Sequence, residues 1–176
     1  MRKRIQHRSH STEQQIVSYK IPPREKQKEI QQILWNQKRL TMYSDCSQIL
    51  HHGIYGLGAM FVCGGTTRTY SKKIYSRYVN KSTLGEYYAV AFTIQQVPSF
   101  LRDTKEVCPE YLKLFTDIEI QWDHLREEYQ EAINDIQKQL AVLTLPFEIS
   151  NMTNEEKRCN PFYRAAHNAS RKAIGK

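Results

Sequence analysis

The stretch LTMYSDCSQILHHGIYGLGAMFVCGGTTRTYSKKIY, residues 40–75, decides the fold. Leu40, Met42 and Tyr43 lead into Asp45, Tyr55 to Cys63 forms a short apolar run, and from Thr69 to Tyr78 apolar or aromatic residues alternate with basic ones. Runs of this length and pattern read as strands. Gly64 and Gly65 supply a hairpin turn between the second and third. The reading is three consecutive antiparallel strands.

Downstream the periodicity changes. Ser82 and Thr83 are expected to cap a helix through Val97 that buries Tyr87, Tyr88, Val90, Ala91 and Ile94, with Pro98 ending it. Tyr111 to Thr116 reads as a fourth strand ending directly on Asp117. Gln121 to Leu143 carries Leu125, Tyr129, Ile133, Ile136 and Leu140 at three- and four-residue spacing, which predicts a long amphipathic helix. Phe147 and Ile149, after Pro146, make a short fifth strand. Asn151 to Asn160 is polar loop, and Phe162 to Ile174 a final helix. The order βββαβαβα implies an α/β fold: a five-stranded mixed sheet, its first three strands antiparallel, flanked by helices.

Upstream, residues 1–38 read as a basic N-terminal extension, with residues 39–176 as the folded domain. The first 20 residues are polar and basic; beyond Pro22 and Pro23, Arg24 to Lys38 has the spacing of a short amphipathic helix, with Ile30, Ile33 and Leu34 on its apolar side. The chain has 176 residues and a formal charge of +8. Ten basic and three acidic side chains fall in the first 40 residues, so the remainder is almost neutral. The charge therefore points to an anionic partner, nucleic acid or lipid, for the leader rather than for the body, unless the leader is only a solvated tail.

Apolar runs are too short for a membrane span. Cys46, Cys63, Cys108 and Cys159 lack metal-ligand spacing, which favours reduced thiols and a cytoplasmic location. No export signal is evident. A monomer is expected.

Three carboxylates stand at element ends: Asp45, Glu86 in the first turn of the first domain helix, and Asp117. Ligands gather near strand ends and adjoining helix starts in such sheets. Converging carboxylates repel unless a cation joins them, and oxygen donors of this kind suit Mg²⁺ or Mn²⁺. Each acid also has a purely structural reading. Glu86 lies three residues after Thr83, the spacing of a capping box, and Asp45 and Asp117 can simply end strands in turns.

Taken in order, the residues resemble the type 1 ribonuclease H family, including reverse-transcriptase ribonuclease H domains, over about residues 39–176. MYSDCS (Met42 to Ser47) resembles the first strand ending in Asp-Gly-Ser, and YGLGAMFV (Tyr55 to Val62) the Gly-x-Gly second strand. YSRYVNKSTLGEYYAV (Tyr75 to Val90) is similar to the third strand and the polar turn before the helix bearing the catalytic Glu. LKLFTDIEI (Leu112 to Ile120) is similar to the fourth strand with its Thr-Asp ending, and RAAHNASRKA (Arg164 to Ala173) to the closing helix.

The resemblance implies that Asp45, Glu86 and Asp117 are catalytic, metal-binding acids holding two divalent ions, Mg²⁺ or Mn²⁺, with His167 in the fourth acid position. It further implies that Ser47, Ser82 and Thr83 grip nucleic acid, where contact with a 2′-hydroxyl distinguishes RNA from DNA. Lys72, Lys73, Arg77 and Arg171 are added as phosphate-binding candidates.

Four departures are visible. Cys46 replaces the usual Gly, Ile118 replaces a polar residue, His167 replaces an acid, and the loop before the last helix has no His. The family's basic, Trp-rich protrusion is also absent. The activity implied is metal-dependent endonucleolytic hydrolysis of the RNA strand of an RNA·DNA hybrid, by in-line attack of water between two ions. A nuclease of the same fold acting on other nucleic acids, or a catalytically weak nucleic-acid-binding module, are the alternatives.

Overall fold

A computed structural model describes residues 22–124 and 126–176. The basic residues Arg2, Lys3, Arg4, Arg8 and Lys20 of the expected leader, and Leu125 of the expected long helix, lie outside the described residues. The elements are α1 (Arg24–Trp35), β1 (Arg39–Ile49), β2 (Ile54–Cys63), β3 (Thr66–Tyr75), α2 (Ser82–Asp103), β4 (Tyr111–Thr116), α3 (Glu127–Ala141), β5 (Phe147–Asn151), α4 (Asn154–Cys159) and α5 (Pro161–Ala173). The five strands form one sheet in the order β3-β2-β1-β4-β5. β2 runs antiparallel to both β1 and β3, while β4 runs parallel to both β1 and β5. The expected mixed sheet is therefore present.

Both faces of the sheet are covered, which explains why β2 reads as an almost unbroken apolar run. On one face Leu57, Ala59 and Phe61 pack with Leu40, Met42, Leu112 and Leu114 against α2 and α3. On the other, Tyr43, Met60 and Val62 meet Phe162 and Ala166 of α5 and Ile33 of α1. The amphipathic helix of the N-terminal extension is thus seated on the sheet through Ile33, which is 7% exposed. β3 closes one edge; Arg68, Lys72 and Lys73 are exposed along it, a distribution of charge that discourages edge-to-edge pairing.

Glycine decides how closely α5 approaches β2. A β-carbon on Gly58 would collide with the carbonyl oxygen of Ala166, and one on Gly56 with that of Ser170. The Gly-x-Gly of β2 is therefore the bed on which α5 lies, and it sets the height of every side chain that α5 presents to the strands.

Several boundaries differ from the expectation. α2 runs through Pro98 to Asp103 rather than ending there. Phe100, completely buried and 5.3 Å from Phe61, is carried by the continuation. Its burial contributes about 2 to 3 kcal/mol, comparable with the ~3 kcal/mol that an internal proline costs. The N-cap of α2 is Lys81, so Ser82 and Thr83 are its first two residues, both exposed, and neither caps it. β3 ends at Tyr75 instead of Tyr78. α3 begins at Glu127 rather than Gln121; Gln121 N–H instead donates to Tyr87 Oη at 3.0 Å, holding the preceding segment against α2. The expected polar loop 151–160 contains α4, closed by a capping box between Thr153 and Glu156. Among the described residues no helix is long and apolar enough to cross a membrane.

Gly58→Ala is expected to destabilise the protein by about 1 to 3 kcal/mol, because α5 must lift from β2 to admit the methyl group. Urea unfolding measures this, and a midpoint equal to that of the parent protein would contradict the packing described.

Candidate active site

The pairing of β1 with β4 ends at Tyr43 opposite Phe115. Asp45 and Asp117 stand two residues beyond that pair on neighbouring parallel strands, just where β1 loses its neighbour. Asp45 is not at the end of β1 as expected; the strand continues to Ile49 alongside β2, with Asp45 opposite Gly58. Its carboxylate is consequently only 3% exposed. A buried carboxylate requires donors, and α5 supplies three. Tyr163 Oη donates to Oδ1 at 2.9 Å, Ser170 Oγ donates to Oδ2 at 2.6 Å, and His167 Nδ1 lies 3.2 Å from Oδ2. Tyr163, His167 and Ser170 are spaced by four and three residues, which puts them on one helical face.

Ser170 directs its single proton to Asp45, so its oxygen is left to accept from Ser47 Oγ at 3.0 Å. Ser47, read from sequence as a nucleic-acid contact, thus supports the carboxylate network from below. Burial, followed by the Asp45 charge, holds the Tyr163 phenol well above its ordinary value, so that it stays a donor. The hydrogen bond to Asp45 raises the His167 imidazole above its ordinary 6.5. With Nδ1 engaged by the carboxylate, Nε2 is the nitrogen that a cation or phosphate would meet.

Glu86 does not form the capping box that its spacing allows. Gly85 makes room for the first turn of α2 beside β1, since a β-carbon there would come within 2.6 Å of Cys46 Sγ. The Glu86 carboxylate turns inward and accepts from the Cys46 backbone N–H, while Oε2 is buried without a partner. Desolvation, then the Asp45 charge, push its pKa well above the ordinary range.

Asp117 is held differently. Its Oδ1 pairs with the ammonium of Lys157 from α4, and the same ammonium acts favourably on the Glu86 carboxylate. The fold therefore sets His167 against Asp45, leaves Glu86 within the field of the Asp45 charge, and sets Lys157 against Asp117. Among the described residues no three His, Cys, Asp or Glu side chains lie close enough to form a ligand shell. The chemistry of the donors nonetheless fits a hard divalent cation. Asp45 and Glu86 repel each other across a buried site, and the orphaned Glu86 Oε2 is an oxygen ligand lacking a counter-charge.

Sequence reasoning missed Lys157, Tyr163 and Ser170. The helical spacing of the last two with His167 was a usable signal, and Thr153-x-x-Glu156 was a usable signal for α4; no sequence pattern pairs Lys157 with Asp117.

The other expected contacts are dispersed. Ser82 and Thr83 are exposed at the start of α2, and Lys72 and Lys73 along β3. Lys73 lies over the Tyr75 ring at 5.2 Å. Arg77 is paired with Glu131 at 2.7 Å and Glu127 at 3.6 Å on α3, and Arg171 is exposed in the last turn of α5.

No family model and no curated protein matches the chain. Solved structures do. Ribonuclease H1 from the halophilic archaeon Halobacterium salinarum NRC-1 matches with a TM-score of 0.59 at 15% identity, over 77% of this chain and 97% of that one. A ribonuclease H1 isolated from compost matches with a TM-score of 0.58 at 15% identity, over 78% and 99%. The same compost enzyme in complex with an RNA/DNA hybrid matches with a TM-score of 0.57 at 13% identity, over 77% and 99%. The chain has the ribonuclease H-like fold.

His167 and Glu86 both hold a proton more tightly in the folded than in the unfolded protein. Each therefore contributes stability that is complete below its unfolded value, 6.5 or 4.5, and is lost as pH rises through the raised folded value. Chelator-treated protein is expected to lose stability as pH rises past 6.5 through the raised histidine value, and His167→Gln to flatten that decline. Urea unfolding across that range checks the slope; an unchanged slope in the variant would contradict it.

Proposed function

We propose that this ribonuclease H-fold protein is a divalent-metal-dependent endonuclease that hydrolyses the RNA strand of RNA·DNA hybrids. The observation that supports this reading is the buried pairing of Asp45 with Glu86, whose Oε2 has no partner, beside Asp117 and His167 at one end of the sheet. A structural neighbour solved in complex with an RNA/DNA hybrid adds support for the substrate class. Four free cysteines accord with a reducing, cytoplasmic compartment.

Asp45 and Glu86 would hold the cation, Mg²⁺ or Mn²⁺, with Asp117 and His167 Nε2 adjoining. When bound, the cation supplies an activated water for in-line attack on phosphorus and charge stabilisation for the departing 3′-oxygen. The chain's own residues do the rest. Tyr163 and Ser170 fix the orientation of the Asp45 carboxylate by donating to its two oxygens, and Ser47 fixes Ser170. Ser82 and Thr83, exposed at the start of α2 next to Glu86, offer hydroxyls to the minor-groove 2′-hydroxyls of a hybrid. Lys72, Lys73 and Arg171 offer phosphate contacts. Arg77 joins them by exchanging its carboxylate partners for phosphate, since both of its ion pairs are solvent-exposed and weakly held.

Residues 1–21 carry five basic side chains against one acidic, half of the formal charge of +8, and provide part of the nonspecific attraction. α1 belongs to the packed structure, so the removable part is the segment before it.

Incubation with hybrid, duplex DNA and duplex RNA in Mg²⁺ and in Mn²⁺ tests the reading. Selective cutting of the hybrid's RNA strand is expected, reduced on the order of 10²-fold or more in Asp45→Asn, Glu86→Gln and Asp117→Asn. Equal cutting of the other duplexes would move the assignment to a nuclease of different substrate, and tight binding without cleavage would leave a binding module. Removing residues 1–21 is expected to weaken hybrid affinity and flatten its salt dependence with little change in kcat; an affinity unaffected by the deletion would show the leader to be a solvated tail.

A further inference from the structure

Lys157, like Tyr163 and Ser170, is a feature of the site that the ribonuclease H resemblance did not supply, and it is the one that brings a positive charge. It sits on α4, in a segment that reads from sequence as loop, and three connections determine where it points. Met152 N–H donates to the Thr116 carbonyl at 3.0 Å, fastening the end of β5 to the residue before Asp117. The Thr153–Glu156 capping box then starts α4 one residue later, with Thr153 N–H donating to Glu156 Oε2 at 2.7 Å and Glu156 N–H to Thr153 Oγ1 at 3.3 Å. Asn160 ends α4 and caps α5, its Oδ1 accepting from Phe162 N–H at 2.9 Å and Tyr163 N–H at 3.1 Å. Lys157 is therefore carried on a short helix tied at both ends to elements that hold the site. Its side chain is 19% exposed and its ammonium is paired with Asp117.

The charges in the site are unevenly compensated. Asp117 has a full positive charge against it. Asp45 has neutral hydroxyl donors and an imidazole. Glu86 has one oxygen on the Cys46 N–H and the other buried without a partner, although it too experiences the Lys157 charge. Glu86 Oε2 and Asp117 Oδ1 are both buried without a hydrogen bond, but only Asp117 has an ammonium in contact, so the carboxylate without a cation of its own is Glu86, beside Asp45.

We propose that the Lys157 ammonium permanently occupies one of the site's two cation positions, the one at Asp117, so that the protein takes a single divalent ion, at Asp45 and Glu86. The inference rests on the metal-dependent reading above and makes it more specific. A lysine ammonium is a compact point charge that can sit against a carboxylate where an ion would. Unlike an ion it is tethered, so it neither leaves at low metal concentration nor polarises a water as a divalent ion does. Lys157 acts as a positioning residue that sets metal stoichiometry.

The test counts ions directly. Chelator-treated protein is titrated with Mn²⁺, with bound ion followed by calorimetry and free ion by electron paramagnetic resonance. The parent protein is expected to bind one Mn²⁺. Lys157→Ala is expected to bind a second, and Lys157→Arg, which keeps the charge, to bind one. In the parent background Glu86→Gln should lose the ion, whereas Asp117→Asn should keep it. Circular dichroism of each variant verifies folding, and the Arg and Asn variants keep the comparison informative should Lys157→Ala fail to fold. Two ions of similar affinity in the parent protein, or one ion in both the parent and Lys157→Ala, would overturn the inference while leaving the metal-dependent reading intact. No binding by any form would overturn both.

Discussion

The structure turns on one buried carboxylate. Asp45 lies inside the sheet rather than at its rim, because β1 continues beside β2 after β4 has stopped. An ionised carboxylate so placed is stable only when its oxygens are hydrogen-bonded, and leaving it uncompensated costs several kcal/mol. Tyr163, His167 and Ser170 meet that requirement, all from α5. The closing helix must therefore sit at the correct rotation and height, and Gly56 and Gly58 permit the height. The β2 glycines, the α5 polar face and the β1 carboxylate form one interdependent arrangement.

A second consequence follows from the same burial. Glu86 enters the site from the other face of the sheet, where Gly85 lets α2 close on Cys46 and Tyr55. It arrives next to a charge that is already fixed, and one of its oxygens finds no donor. A packed interior that leaves a carboxylate oxygen unpaired is strained electrostatically, as is common at functional sites. The protein relieves part of that strain with its own cation, Lys157, and the proposed divalent ion relieves the rest. His167 acts in the same direction, since its imidazole adds a hydrogen bond to Asp45 without adding another negative charge.

Much of the fold was legible in the sequence because the relevant signals are local. The apolar run of β2, the hairpin at Gly64 and Gly65 and the amphipathic spacing in α2 and α3 reflect burial and period, which neighbouring residues determine together. Legibility failed where a long-range contact outweighed a local preference. Pro98 should end α2, but Phe100 has a place against Phe61. Residues 121–126 have helical spacing, but Tyr87 captures the Gln121 amide. Thr83 and Glu86 have the spacing of a capping box, but the Glu86 carboxylate is drawn to the Cys46 amide instead.

The sequence by itself determined the order of the five strands and singled out Asp45, Glu86, Asp117 and His167 as candidates, because strand ends and helix starts are marked by residues close to them in the chain. It also determined that most of the formal positive charge falls within the first 40 residues. Only the tertiary structure decided that Asp45 is buried, that α5 supplies its donors from more than a hundred residues away, that Ser47 supports Ser170, and that Lys157 reaches Asp117. These depend on the register of β1 against β4 and on the depth at which a helix rests on glycine. Such distances are set by packing among distant segments, and no local pattern of residues encodes them.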